Sequence, residues 1–261
     1  MDWVESSAKV VDSLGTPDFA PSLIDALRTV VPFEYTVIFA YYEGRKPLAL
    51  HDDFPDKKRR VMVDDYQAGP YLLDPFFRHA AACATPCLVR LRDLAPDRFY
   101  QGEYFRNYYI QTGLAEEIGF MVNSGQGVSV VISAMRESRR FSAREFRKLR
   151  DVLPFVNAAA RRNWGSLVQQ FAERPSPSQE PKLVDLIDRA FQNIGSNLLT
   201  PREAEIVGYI LKGYSAKATS QALGISPGTV RIHKRNLYVK LRIGSQGELF
   251  SRFITALTAL E

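Results

Sequence analysis

The stretch ERPSPSQEP at residues 173–181 constrains this chain more than any other. Its three prolines remove backbone donors and clash with a continuing helix, and its serines and charges have no reason to be buried. No single core can run through such a segment, so the chain must fold in separate parts. The length of 261 residues agrees, at about 100–200 residues per domain. The spacing of signals places one domain at 1–172, a linker and connecting helix at 173–195, and a second domain at 196–261.

The two domains differ in period. Upstream, Leu23, Ile24, Leu27, Val30 and Val31 recur at helical spacing within 21–31. Two β-rich runs follow, joined by a turn centred on Gly44, and residues 57–82 read as helical around a break at Gly69-Pro70. Cys87 to Leu91 is a short β-rich run. A Tyr-rich helix over 103–112 ends at Gly113. EEIGFMV and VSVVISAMR then flank NSGQG, a hairpin signal. Ser142 and Glu145 form a capping box for a helix that Pro154 bends or breaks before Phe171. Strands enclosed by helices at both ends predict an α/β/α sandwich with a central antiparallel sheet.

Downstream, every signal is helical. Lys182 to Ile194 forms an amphipathic connecting helix. Thr200, Pro201 and Glu203 supply an N-cap, a first-position proline and a capping box. Ser215 and Ser226 cap the next two helices, the second of which begins at Pro227 and buries Val230, Leu237 and Leu241. Gln246 to Leu260 closes the domain. The whole is α+β: the sandwich, plus an all-α C-terminal domain of four helices. In it, Leu223-Gly224-Ile225-Ser226 forms a helix-turn-helix, Gly224 allowing a left-handed turn and Ile225 plugging the core.

Charge is divided as sharply. Residues 196–261 hold nine basic and four acidic side chains, a net of +5, while the other 195 residues carry 25 of each sign. A module with this excess suits a polyanion. The helix after the turn places Arg231, Lys234, Arg235, Tyr238 and Arg242 on its outer arc, where a cationic helix can enter a DNA major groove. Lys217 and Lys240 are placed for phosphates.

Several classes are excluded. No G-x-S-x-G elbow between a strand and a helix (the GISPG at 224–228 lies in the turn between two helical segments), P-loop or metal-ligand cluster occurs, so neither an enzyme, a cofactor nor a metal is expected. No run of 18 apolar residues and no signal peptide is present, and Cys83 and Cys87 read as reduced thiols, so a cytoplasmic protein away from membranes is expected. Asp52-Asp53, after the second strand, lacks the partners of a phosphorylated receiver. Phe76, Phe77, Phe99, Tyr100, Tyr104, Phe105, Tyr108 and Tyr109 suit either sheet packing or an apolar site with a few hydroxyls. Of Glu116-Glu117, one carboxylate pointing inward would favour a cationic ligand.

Residues 199–245 resemble the LuxR-type helix-turn-helix domain. The resemblance rests on Leu199-Thr200, Arg202-Glu203, Val207, Gly213, Ser215, Lys217, Leu223-Gly224-Ile225-Ser226, Thr229-Val230-Arg231, His233, Leu237 and Lys240-Leu241. It implies a bacterial transcription regulator that binds double-stranded DNA as a homodimer, with RNA polymerase as a further partner. Base contacts would fall on Arg231, Ile232 and Arg235, and phosphate contacts on Thr229, His233 and Lys240, with Lys217 and Lys234 beside them. Thr219-Ser220 departs from the usual Ile-Ala, and Thr219 could bond back to its own helix.

Residues 66–94 resemble the acyl-homoserine-lactone-binding domain of the same family, through Tyr71-x-x-Asp74-Pro75 and Asp93-Leu94. The resemblance implies a small-molecule signal of unknown identity, with Asp74 on the signal's amide and Tyr66 and Tyr71 as walls. Asp74 before Pro75 also suits a helix cap. Trp3 and Trp164 lie far from this motif, and Arg90-Leu91 stands where an aromatic is expected, so a GAF- or PAS-like orphan sensor shares the same plan. The alternative is a regulator whose N-terminal domain only dimerises or binds a protein.

Overall fold

The computed structural model describes residues 2–42, 45–82, 85–102, 105, 112–173 and 198–258. The helix expected over 103–112 and the linker with its connecting helix fall outside this set, but for residues 105, 112 and 173. So do Gly44, Cys83, Tyr104, Tyr108 and Tyr109. The chain divides into two compact units: residues 1–63, 76–94 and 113–180, and residues 64–75, 95–112 and 181–261. Segments 64–75 and 95–112 therefore group with the C-terminal helices, although they lie far upstream of the linker.

The first unit is built on a five-stranded antiparallel sheet of order β2-β1-β5-β4-β3. Its strands are β1 (Tyr35–Tyr42), β2 (Leu48–Asp52), β3 (Cys87–Arg90), β4 (Glu116–Gly125) and β5 (Val128–Arg136). β1 pairs with β2, and β4 with β5, as the two hairpins predicted. The β4–β5 turn needs positive φ at Gly125, Gln126 and Gly127 (+95°, +51°, +80°), which two glycines supply at little cost. Side chains alternate across the pleat. Ile38, Ala40, Ile118, Phe120, Val130 and Ile132 enter one core. Helices α1 (Trp3–Asp12) and α2 (Phe19–Val30) contribute to that core, as do α6 (Ala143–Asp151), α7 (Leu153–Trp164) and α8 (Leu167–Glu173). On the other face, α4 (Pro75–Ala82) lays Phe77 5.2 Å from the Tyr41 ring and Phe76 against Gly119. Two short helices, α3 (Asp56–Arg59) and α5 (Leu91–Leu94), complete the unit.

Local signals explain most of these elements. The Ser142–Glu145 capping box starts α6, and the chain breaks at Val152 so that Pro154 falls in the first turn of α7. Between α3 and α4 the chain passes through a π-helix at Arg60–Asp65 and a 3-10 turn at Pro70–Leu73, with Gly69 at φ +141° as the break. Helix α1 was not anticipated. Its buried face is only Ser6 and Val10, while Val4 and Val11 are exposed, so its apolar pattern points both ways.

The acid–base reading of Glu116-Glu117 changes. Glu116 and Glu117 are both buried, and the partner of Glu116 is internal: Arg90 donates to it at 2.6 Å, as does the Phe141 N–H. Arg90, standing where the resemblance expects an aromatic, is thus a buried counter-ion. Asp53 pairs with Arg28 and accepts from the Thr36 N–H, and Asp52 pairs with Arg59. Phe76, Phe77 and Phe99 are packed core.

In the second unit, α9 (Pro201–Leu211), α10 (Ala216–Leu223), α11 (Pro227–Leu241) and α12 (Gln246–Thr258) form the helix-turn-helix bundle. Thr200, Ser215 and Ser226 each accept the predicted N-cap bond. Gly224 is left-handed at φ +64° and ends α10. Val207, Leu211, Val230, Leu237, Leu241, Leu249 and Phe253 fill the core. Ile225 is half-buried rather than a plug. Thr219 and Ser220 are buried, and the back-bond is made by Ser220, whose hydroxyl donates to the Lys217 carbonyl at 2.7 Å.

Candidate nucleic-acid interface and signal site

Helix α11 contains no acidic residue. Its buried stripe, Val230, Leu237 and Leu241, packs on α9 and α10 and fixes which residues face outward. Arg231, Ile232 and Arg235 are exposed together. Asn236 and Val239 continue the same stripe; the sequence reading missed them, although the four- and seven-residue spacings from Ile232 contain the signal. Ile232 is 54% and Val239 73% exposed, so two branched apolar side chains lie on this surface. Apolar groups at such positions can meet thymine methyls, while Arg can grip guanine edges.

The other residues expected at this interface are placed differently. Lys217 is exposed on the first turn of α10. His233 is half-buried, and the Thr229 hydroxyl lies 2.8 Å from that of Ser226, at the helix start. Lys234 and Tyr238 are not on the outer arc. Each lies next to the buried stripe, so both are half-buried, and the Lys234 ammonium sits 5.4 Å from the Tyr238 ring centre. Burial, and then the nearby Arg98 guanidinium, lower the Lys234 ammonium below its ordinary value.

Lys240 departs most from expectation. Its ammonium donates to Glu203 at 2.7 Å, and the Glu203 side chain is 4% exposed. Burial alone would raise the Glu203 carboxyl. The bonds from Lys240 and Thr200 outweigh it and hold the group below its usual range. Glu203 therefore serves both the capping box of α9 and the ion pair that ties α11 to α9. Lys240 is thus paired within the bundle.

The three residues expected at the signal site do come together. The Tyr66 hydroxyl donates to Asp74 at 2.7 Å, and the Tyr66 and Tyr71 rings are 6.1 Å apart. Both tyrosines are buried and Asp74 is half-buried. Outside this group, Cys87 Sγ lies 3.6 Å from His79 Nε2. Among the described residues, no cluster of three metal-ligating side chains occurs, and no helix is long and apolar enough to cross a membrane.

An antiparallel sheet with helices on both faces, carried in one chain with a helix-turn-helix whose outer stripe is cationic, is the architecture of a helix-turn-helix transcription regulator. Comparison with known proteins gives the same class. Residues 197–253 match the GerE pattern, described as bacterial regulatory proteins, luxR family. An HTH-type transcriptional regulator in the exeN 3′ region of Aeromonas salmonicida is 32% identical over 157 residues, which is 59% of this chain and 80% of that one. The monoamine regulon transcriptional regulator of Klebsiella aerogenes is 23% identical over 231 residues, or 88% and 87% of the two chains. The VqsR LBD domain from Pseudomonas aeruginosa shares the fold of the sheet domain, with a TM-score of 0.55 at 24% identity over 62% of this chain and 95% of that one. The chain belongs to the LuxR family of bacterial regulatory proteins. It is a transcriptional regulator, not an enzyme.

Proposed function

We propose that this regulator is a cytoplasmic homodimer that binds promoter DNA through α11 and responds to a small-molecule signal bound by its N-terminal half, with RNA polymerase as a partner at the promoter. The observation that carries the DNA reading is the acid-free helix α11 with Arg231, Ile232 and Arg235 exposed on one stripe. On this reading Arg231, Ile232 and Arg235 meet base edges, while Lys217, Thr229 and His233 serve the backbone. Lys234 flanks the interface, and Lys240 holds α11 in place.

The signal reading rests on the Tyr66–Asp74–Tyr71 group, a carboxylate and two hydroxyls set among buried rings. Such a site suits a ligand that is apolar with an amide or hydroxyl head. DNA binding is tested by titrating the full chain onto duplex DNA at several salt concentrations. The logarithm of affinity should fall with a slope of about −0.9 per phosphate neutralised. A slope of zero would sink the polyanion reading.

A further inference from the structure

Residues 95–102 precede the linker by some seventy positions, yet they belong to the compact unit of the helix-turn-helix. The Ser215 N–H donates to Asp97 Oδ1 at 2.9 Å, and the Arg98 N–H donates to the Gly213 carbonyl at 3.0 Å. Phe99 is 2% exposed. Gly213 stands at φ +85°, and a Cβ there would lie 2.9 Å from Phe99 Cα and 3.2 Å from its nitrogen. Only glycine permits so close an approach of two backbones. The segment thus grips the turn between α9 and α10 and the start of α10, two residues before the exposed Lys217.

The chemistry of the grip matters. In a helix-turn-helix, the helix before the recognition helix crosses the DNA backbone, and helix N-terminal amides commonly meet phosphates. Here a carboxylate of the chain's own holds that end of α10. Burial would raise the Asp97 carboxyl, but the Ser215 hydrogen bonds and Arg98 bring it below the usual range, so it is an anion at neutral pH. A phosphate approaching Ser215 and Lys217 would meet that negative charge and the backbone of residues 97–99.

We propose that residues 95–102 form an autoinhibitory clasp: Asp97 occupies the α10 start in place of a DNA phosphate, and clasp and DNA exclude one another. The proposal rests on the reading that α9–α12 bind DNA. It connects the N-terminal half of the sequence to the DNA module through a contact that a signal could release. When the competent form is only a fraction of the population, apparent affinity falls by that fraction.

The test uses the full chain and a short duplex of arbitrary sequence, with binding followed by fluorescence anisotropy. Asp97→Ala should tighten binding by about tenfold, the equivalent of one hydrogen bond to a charged group. Unchanged or weaker binding by a folded Asp97→Ala chain, beside salt-dependent binding by the wild type, overturns the clasp alone. No binding by either chain overturns the clasp and the DNA reading together. A measurement on the wild type stands independently of whether the variant folds: hydrogen exchange across 95–102 should speed up when DNA is added. Exchange that is unchanged or slowed by bound DNA overturns the clasp.

Discussion

Lys240→Ala separates two roles that its position in the recognition helix confuses. The Glu203 carboxylate is 4% exposed and accepts from Lys240 at 2.7 Å, from the Thr200 N–H at 2.8 Å and from the Thr200 hydroxyl at 3.1 Å. Removing Lys240 leaves a buried anion with the Thr200 bonds. Breaking a fully buried pair from one side costs about 3–5 kcal/mol, and an exposed pair is worth under about 1 kcal/mol. The Lys240 side chain is 37% exposed, so water replaces part of its bond. We expect a loss of about 2 kcal/mol, near one hydrogen bond to a charge. Native-state hydrogen exchange of α9 and α11 amides in the full chain should then accelerate by about thirtyfold. Because the Glu203 pKa is depressed on folding, the contribution is complete above the ordinary carboxylate value and fades as pH falls through the lower folded value. The difference between wild type and variant should shrink over that acid window. The DNA salt slope should not move. A slope smaller by about 0.9, with exchange unchanged, would make Lys240 a phosphate contact and refute the argument.

Arg235→Ala should lose about 1–3 kcal/mol at one base position and leave discrimination elsewhere intact, as read by competition among single-substituted operators once a site is selected. A uniform loss across all sequences would move Arg235 to the backbone. Glu145→Gln weakens the bonds to Arg136 and Arg139. The Glu145 carboxyl is held far below its ordinary 4.5, by Arg136 above all, so its stabilisation is present at neutral pH and lost as acid protonates it. Trp164 fluorescence should show the wild type weakening in acid and the variant weaker by about 1–3 kcal/mol at neutral pH with a flatter profile; parallel profiles would remove Glu145 from the account. Tyr66→Phe deletes the donor to Asp74 and should cost about 1 kcal/mol in urea unfolding. Asp74→Asn should abolish any ligand-induced melting shift if the carboxylate binds the signal, and an undiminished shift would assign Asp74 a structural role.

The sequence was most legible where a local rule acts alone. Both capping boxes, the three hydroxyl N-caps of the bundle, the left-handed Gly224 and the two hairpins depend on neighbouring residues, and all are present. Arg231, Ile232 and Arg235 were legible because Val230, Leu237 and Leu241 fix the phase of α11. Lys234 and Tyr238 were misplaced because charge and polarity were read as exposure, and the Lys240–Glu203 pair was not legible because its two members lie on different helices. Long amphipathic side chains can lie along a flank or reach a buried partner on another helix. Arg90 and Glu116 are 26 positions apart, and Asp97 and Ser215 are 118 apart. No period or spacing reports such pairs. They exist only once the sheet register and the docking of 95–102 are known.

The start of α6 is where a helix would ordinarily fray first, since its amides lack partners within the helix. Here the Glu145 carboxylate accepts from the Ser142 N–H and also from Arg136, whose side chain is 2% exposed and stacks 4.0 Å from the Phe141 ring centre. Arg136 in turn donates to the Pro32 carbonyl, ahead of β1. Unwinding the first turn of α6 would withdraw the counter-charge from a buried guanidinium and loosen the end of β5. The penalty for a local event is thereby charged to the core. Helix start, strand end and the loop before β1 should open together, with one rate of amide exchange in place of the graded fraying of a solvent-capped helix.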